Sequence, residues 1–562
     1  MTYTPPFADI EFALRHQAGF DELCSWFGGG VDTDTTVDLL SEAGRFVSDV
    51  FVPLGRIGDE MGSHRNDDGS VTTPPGTPDA YRQFVESGWG AISFPEAWGG
   101  GGQPWVTTIA VQEMLTSASM GFSLCPLLTQ GAIDLLLHHA SEEQKAVYLP
   151  KMISGEWTGT MNLTEPDAGS DVGALRSRAV PADDGSYRVS GTKIFITYGE
   201  HDLAENIIHL VLARTPGAPA GTKGISVFIV PKFLVNDDGS LGERNSAVCL
   251  KVEEKLGIHA SPTCVMEFDN AVGYLIGEEC TGMRSMFTMM NNARLSVGLE
   301  GLSVSETAYQ QALAYSRDRR QGRALGSTEA GPSPIIDHAD VKLMLATMKA
   351  YIEAMRGLLY FDAAHVDRST HHPDADERRR AADLVALLTP VCKGWSTDLG
   401  VELTSLGIQV HGGMGFVEET GAAQHWRDSR IAPIYEGTNG IQAIDLVTRK
   451  LPLDGGRVIA SLLERVRSEA GDTPALDAVE RTTAALLGAL ADGRVGDVLS
   501  GATAYLRMLG NLLGDWFLQR AAAAEATRAP LATFYRERLL PTVLGLEAAA
   551  TAGIASLEAV EL

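Results

Sequence analysis

The chain has 562 residues and a mass of 60.0 kDa, more than one ordinary core holds, so several domains are expected. With 44% hydrophobic residues and a formal net charge of −27, it reads as a globular protein whose main partner is neither nucleic acid nor an anionic membrane. Its six cysteines form no CxxC pair and no metal-ligand spacing with histidines, which points to reduced thiols, a cytoplasmic compartment and no bound metal.

The first seventeen residues lack a basic stretch ahead of an apolar one, and no run of about eighteen apolar residues occurs. Neither a secretion signal nor a spanning helix is therefore expected. Four zones follow in chain order. Residues 1–157 form an N-terminal helical domain with a leader: segments 41–62, 78–89 and 108–122 carry apolar residues at helical spacing. Ser141 stands three residues before Gln144, the spacing of a capping box at a helix start. Residues 158–277 change character. Runs at 187–199, 206–215, 223–233 and 263–270 are short and rich in β-branched and aromatic residues, with Asp-Gly turns at Asp184-Gly185 and Asp238-Gly239. No helical pattern separates them, so an antiparallel sheet or barrel is expected. Residues 278–452 return to long helices, at 286–320 and 337–365. Residues 453–562 form a further Ala/Leu-rich helical extension. It holds ten Arg against fourteen Asp and Glu, so it is no polybasic arm.

No GxGxxG follows a strand, and the glycines Gly99 to Gly102 lack the Gly-Lys-Ser/Thr of a phosphate loop; they read as a flexible turn. Met161 to Arg176 is more specific. Thr164, Ser170 and the amides around Gly169 place donors and acceptors in a compact loop suited to an extended polar ligand. Phe195 and Thr197 share a strand face by alternation, an aromatic plane beside a hydroxyl. Glu436 lies between Tyr435 and Gly437, just before Thr438 and Asn439. Two readings stand: an acid gaining from a helix N-terminus that those two residues cap, or a base in an apolar site. His371 and His372 fall in a polar segment read as a solvated loop, and His411 reads as a structural histidine. Met286, Met289 and Met290, at helical spacing, read as core or channel wall.

Taken together, "LTEPDAGSDVG" and "GTKIFITYG" resemble the paired flavin-binding segments of the acyl-CoA dehydrogenase superfamily. "RDRRQGRALG", "GIQVHGGMGF" and "IYEGTNGIQ" resemble its remaining motifs in order. The resemblance spans roughly residues 40 to 450, and the longer chain is similar to a bacterial subgroup with a helical extension. It implies a mainly α fold with a central β domain: an N-terminal helical domain, a middle antiparallel β-barrel, a C-terminal four-helix bundle, and here an extra helical domain. It implies FAD-dependent dehydrogenation of an acyl-CoA to the trans-2-enoyl-CoA, with Glu436 as the α-proton acceptor and electron-transfer flavoprotein as acceptor of the electrons. An acyl-CoA oxidase, or a DNA-associated flavoprotein of the same superfamily, is the alternative. Met161, Leu163, Thr164, Gly169, Ser170, Phe195, Ile196 and Thr197 are implied for the flavin. Arg319, Gln321, Gln409, Gly412 and Gly413 are implied for the FAD of a second subunit, with Thr438, Asn439 and Gly440 completing the clamp, so a homodimer is expected. Ser170, Asn291, Asn292, Arg294, Tyr435 and Gly437 are implied for the acyl-CoA, Arg294 facing a phosphate. A straight short-to-medium acyl group is the expected substrate. Phe195 stands where many relatives have Trp, and Gly322 where Phe is common.

Overall fold

The computed structural model describes residues 3–28, 31–328 and 330–562. Contacts group them into two units, one of residues 46–103 and 118–293, the other of 1–45, 104–117 and 294–562. This grouping cuts across the first of the four zones.

In the first unit, helices α1 (Met120–His139) and α2 (Glu142–Ser154) precede the sheet. The Ser141 capping box forms as its spacing predicts: Gln144 N donates to Ser141 Oγ (3.2 Å) and Ser141 N donates to Gln144 Oε1 (3.1 Å). By length and mean hydropathy alone, α1 is long and apolar enough to cross a membrane. However, 89% of its apolar window is buried inside the protein, which marks it as a core helix. The strands are β1 (Trp157–Asn162), β2 (Arg178–Pro181), β3 (Tyr187–Thr197), β4 (Asn206–Ala213), β5 (Ser226–Pro231), β6 (Ala247–Val252) and β7 (Thr263–Leu275). Their order is β1-β4-β5-β7-β3-β2, with β6 also on β7. Arg214, just past β4, pairs back to β2 through Ala179 N to Arg214 O and Arg214 N to Ser177 O, both 2.9 Å. That bridge closes the sheet on a core of Val189, Ile196, Val211, Phe228, Val230, Met266 and Phe268. Both Asp-Gly turns join antiparallel strands. One pairing departs from expectation: β1 runs parallel to β4. The intervening residues, 163–205, include β2 and β3 on the far side of the barrel, a crossover long enough to reverse the sense.

The second unit is helical. Helix α3 (Gly282–Asp318) enters it at Arg294, and α4 (Ala339–His371) and α5 (Ala375–His411) complete the bundle. Helices α6 (Ala422–Ser429) and α7 (Asn439–Asp445) follow. The extension adds α8 (Arg457–Ala470), α9 (Pro474–Ala491), α10 (Val495–Ala524), α11 (Ala529–Arg538) and α12 (Thr542–Thr551). Helices α3 and α5 touch backbone to backbone: a Cβ added to Gly301 would lie 2.1 Å from Ser396 O, and one on Gly298 2.6 Å from Cys392 O. Only glycine permits that approach, and it brings residues 300 and 393 into the same interior. The extension braces α5 from its other side, where the buried Trp395 Nε1 donates to Asn511 Oδ1 of α10 (2.9 Å).

Candidate active site

The helical unit gathers its most unusual residues around the turn before α7. Thr438 is the cap the sequence suggests, its Oγ1 accepting from Ile441 N (3.2 Å). Asn439 is not a second cap. Its amide nitrogen donates to Gly394 O (3.0 Å), Thr397 Oγ1 (2.9 Å) and Asp398 Oδ1 (2.7 Å), and its oxygen accepts from Lys393 Nζ (2.8 Å). With both ends of the amide engaged by α5, Asn439 anchors the turn. The contact with FAD that the resemblance implies for Asn439 would then fall to its backbone.

Glu436 occupies the left-handed region, φ +55°, where a non-glycine residue costs about 1–2 kcal/mol. Gly437 follows at φ +84°, and a Cβ there would meet Gln442 Nε2 at 2.8 Å. The strained turn is over-determined by Lys393 Nζ on Gly437 O (2.9 Å) and Gln442 Nε2 on Gly437 O (3.1 Å) and Glu436 O (3.3 Å). The backbone N–H of Glu436 meets no acceptor among the described residues. Its carboxylate likewise makes no hydrogen bond there, although the Arg294 and Lys393 cations lie close. The side chain is part-exposed yet densely enclosed. Burial raises it from the ordinary carboxylate range to about 7, against the opposing pull of Arg294 and then Lys393. Burial also lowers Lys393, to about 8.

Behind this turn lies a carboxyl that sequence reasoning missed. Glu300, on α3, is fully buried and accepts a short hydrogen bond from Tyr435 OH, while its Oε1 has no partner among the described residues. Burial raises it to about 8, so it is neutral at pH 7. Lone charged residues inside apolar helical runs ("GLEGLS", "PVCKGW") were the available signal for Glu300 and Lys393. Two substrate expectations change as a result. The Tyr435 hydroxyl is directed at Glu300. Arg294 is no surface phosphate ligand: it is 5% exposed, 3.8 Å from Asp445, and beside the Glu436 turn.

In the β unit, the segments holding Met161 to Ser170 and Phe195 to Thr197 come together, Ile194 N donating to Thr164 O (2.9 Å). A buried ion pair fixes the loop: Lys193 Nζ donates to Leu163 O (3.0 Å) and Glu165 Oε1 (2.8 Å), and Glu165 also accepts from Arg176 N and Ser177 N. The simple alternation assumed for β3 fails at a bulge, where Lys193 and Ile196 both face inward. Phe195 sits in that bulge at φ +60°, 60% exposed as a residue and on the same strand as the half-buried Thr197. A strained, outward aromatic plane on the segment that also carries Thr197, and that pairs with the Thr164 segment, suits a planar heteroaromatic ring. Gly169 and Ser170 are exposed, Leu163 and Ile196 are buried, and Met161 is half-buried. Asn291 is exposed, and Asn292 is half-buried with its Oδ1 unpartnered among the described residues.

The remaining cofactor candidates form a separate group on the helical unit. Arg319, Gln321, Gln409, Gly412 and Gly413 are exposed at the ends of α3 and α5, which are tied by Tyr315 stacked on His411 (4.6 Å). His411 Nδ1 is satisfied by Gly407 O (2.7 Å). A cation, two amides and bare glycine backbone suit a diphosphate. Lys393 and Gln409 are separated by about 24 Å of helix at 1.5 Å per residue, so the Thr438–Gly440 turn and this group do not meet within one chain. Gly440 is exposed. His371 and His372 pack on Phe27 and Trp26, and no group of metal-binding residues is found among the described residues. The glycines Gly100 and Gly101 are tightly packed rather than loose, since a Cβ on either would strike the backbone of Phe94 or Ile92.

Four family models match: the acyl-CoA dehydrogenase N-terminal domain (39–156), middle domain (160–271) and C-terminal domain (281–451), and the acetyl-CoA dehydrogenase C-terminal-like domain (473–561). The chain is 46% identical over 542 residues to 3-methylmercaptopropionyl-CoA dehydrogenase of Ruegeria pomeroyi, covering 94% of this chain and 92% of the relative. It is 36% identical to a broad-specificity linear acyl-CoA dehydrogenase of Mycobacterium tuberculosis, covering 88% and 85%. Its fold matches Caenorhabditis elegans ACDH-11, solved with C11-CoA, at TM-score 0.80 and 20% identity, covering 96% of this chain and 92% of that one. The chain belongs to the acyl-CoA dehydrogenase family, whose members are FAD-dependent oxidoreductases.

Proposed function

We propose that Glu436 is the base that removes the α-proton of an acyl-CoA thioester, giving the trans-2-enoyl-CoA. The observation that carries this reading is a carboxylate held in a strained turn, raised to about 7 and given no hydrogen bond among the described residues. Around neutral pH it exists in both forms, which suits a proton acceptor. The thioester carbonyl docks on the Glu436 backbone N–H, which stabilises the enolate-like charge as the proton leaves. Gly437 lets the thioester approach, and the Lys393 and Arg294 cations oppose a build-up of negative charge when the enolate forms beside Glu436. FAD, when bound, supplies the acceptor for the β-hydrogen as hydride. Phe195 and Thr197 hold its ring, the 161–170 loop flanks it, and Arg319, Gln321, Gln409, Gly412 and Gly413 hold the diphosphate of a second copy's FAD. The chain therefore works as a homodimer and passes electrons to electron-transfer flavoprotein. The substrates are linear short-to-medium acyl-CoAs, a reading supported by the activities named for its relatives.

Anaerobic titration of the FAD-loaded protein with acyl-CoAs of increasing chain length tests this. Bleaching of the flavin by short and medium acyl chains is expected, with little peroxide on turnover in air. No bleaching by any acyl-CoA removes the assignment, and stoichiometric peroxide replaces the dehydrogenase with an oxidase.

A further inference from the structure

A cavity of about 410 Å³ shares no residue with the Glu436 site. The leader walls it at Gln17 to Glu22, α4 and α5 contribute Phe361 to Leu384, and the extension adds Arg465 and Arg520. Four arginines line it: Arg368, Arg380, Arg465 and Arg520. Three carboxylates answer them. Glu22 pairs with Arg368 (2.8 Å), Glu377 with Arg380 (2.6 Å), and Glu469 with both Arg465 (2.8 Å) and Arg520 (2.7 Å). In a chain of net charge −27, this pocket carries a local excess of one positive charge.

The donors exceed their acceptors more clearly than the charges do. Each guanidinium offers five N–H groups. Among the described residues, Arg465 uses only Nε, on Glu469, and Arg380 only Nη2, on Glu377. The Arg368 Nε is buried with no acceptor among the described residues. Arg465 cannot simply swing away, because its guanidinium lies over the rings of Phe361 (5.3 Å) and Trp516 (5.5 Å). His365 is 9% exposed, and its Nδ1 lies 2.7 Å from Phe361 O, a carbonyl that must receive the proton. Nε2 is thus left as an acceptor, suited to a protonated phosphate oxygen. Planar forks with unused donors match phosphate oxygens, and the volume exceeds that of a bare inorganic ion, one water occupying about 30 Å³.

We propose that this cavity binds a phosphate-bearing small metabolite, held by Arg465, Arg380 and Arg368 with His365 accepting from it. The site joins leader, bundle and extension, so its occupant ties the extension to the catalytic bundle.

Isothermal titration of the FAD-loaded enzyme with inorganic pyrophosphate tests the proposal. Saturable binding tighter than about 1 mM is expected, weakening as salt is added. Arg465→Gln and Arg380→Gln should each weaken it by about tenfold or more. Both side chains are well exposed (42% and 60%), so the variants should fold and retain acyl-CoA bleaching. No saturable heat up to about 10 mM overturns the proposal. Unchanged binding in both variants also overturns it, because the anion would then sit elsewhere. Citrate binding as tightly as pyrophosphate overturns the phosphate assignment.

Discussion

Two buried charge clusters sit in the helical unit, and they treat their charges in opposite ways. Around Arg356 on α4, every charged group is answered. Its Nε and Nη2 donate to Glu113 (2.9 and 2.8 Å), Nη2 to Glu306 and Nη1 to Glu353 (each 2.8 Å), and the second oxygen of Glu113 accepts from Tyr360 OH (2.7 Å). Arg528 carries the network on to Glu353 and to Asp9 of the leader, both at 3.1 Å. Around Glu436 the pairing is incomplete. Lys393 donates to neutral acceptors, Arg294 reaches Asp445 only at 3.8 Å with its Nε unpartnered among the described residues, and the Glu436 carboxylate accepts no hydrogen bond among them. A fully paired cluster is a structural fastener, whereas an under-paired one keeps a carboxylate's proton affinity high and its oxygens available.

That contrast can be broken from either side. The largest effect belongs to Arg356→Met, which strands Glu113 and Glu306 in the core and should cost about 3–5 kcal/mol by urea unfolding. The pH dependence of flavin bleaching should stay where it was. Lys393→Met should act the other way. With a lowering cation removed, the Glu436 midpoint should rise by about one unit in the pH profile of bleaching. The lost bonds to Gly437 and Asn439 should cost a further 1–3 kcal/mol, roughly, of stability. Smaller still is Glu300→Gln, which keeps an acceptor for Tyr435 and mimics the neutral acid. Because Glu300 titrates near 8 when folded and near 4.5 when unfolded, the folded state holds the extra proton between those values. Wild-type stability should therefore fall relative to the variant as pH rises from about 4.5 to about 8. Ser141→Ala touches neither cluster and should cost about 1 kcal/mol.

Local features were legible in the sequence because they are short-range. The Ser141 box, the Asp-Gly hairpins and the long periods of α3 and α4 all concern residues a few positions apart. Glu436 stood out through its motif, yet its environment did not, because Glu300, Arg294 and Lys393 come from helices whose meeting depends on the α3–α5 glycine contact. Periodicity reports which face a residue occupies and not what it faces. The same limit hid the parallel β1–β4 pair. At Phe195 a single bulge defeated the alternation rule.

The central claim is that Glu436 is the base and that under-pairing sets its proton affinity. Stopped-flow bleaching of the FAD-loaded enzyme by butyryl-CoA without oxygen, followed from pH 5 to pH 9, tests it most directly. The account predicts a rate rising through a midpoint near 7. In Glu436→Gln the rate should fall by about 10²–10⁴-fold at unchanged FAD content, with that pH dependence gone. A variant that keeps the wild-type rate, or one that keeps the wild-type midpoint, would contradict it.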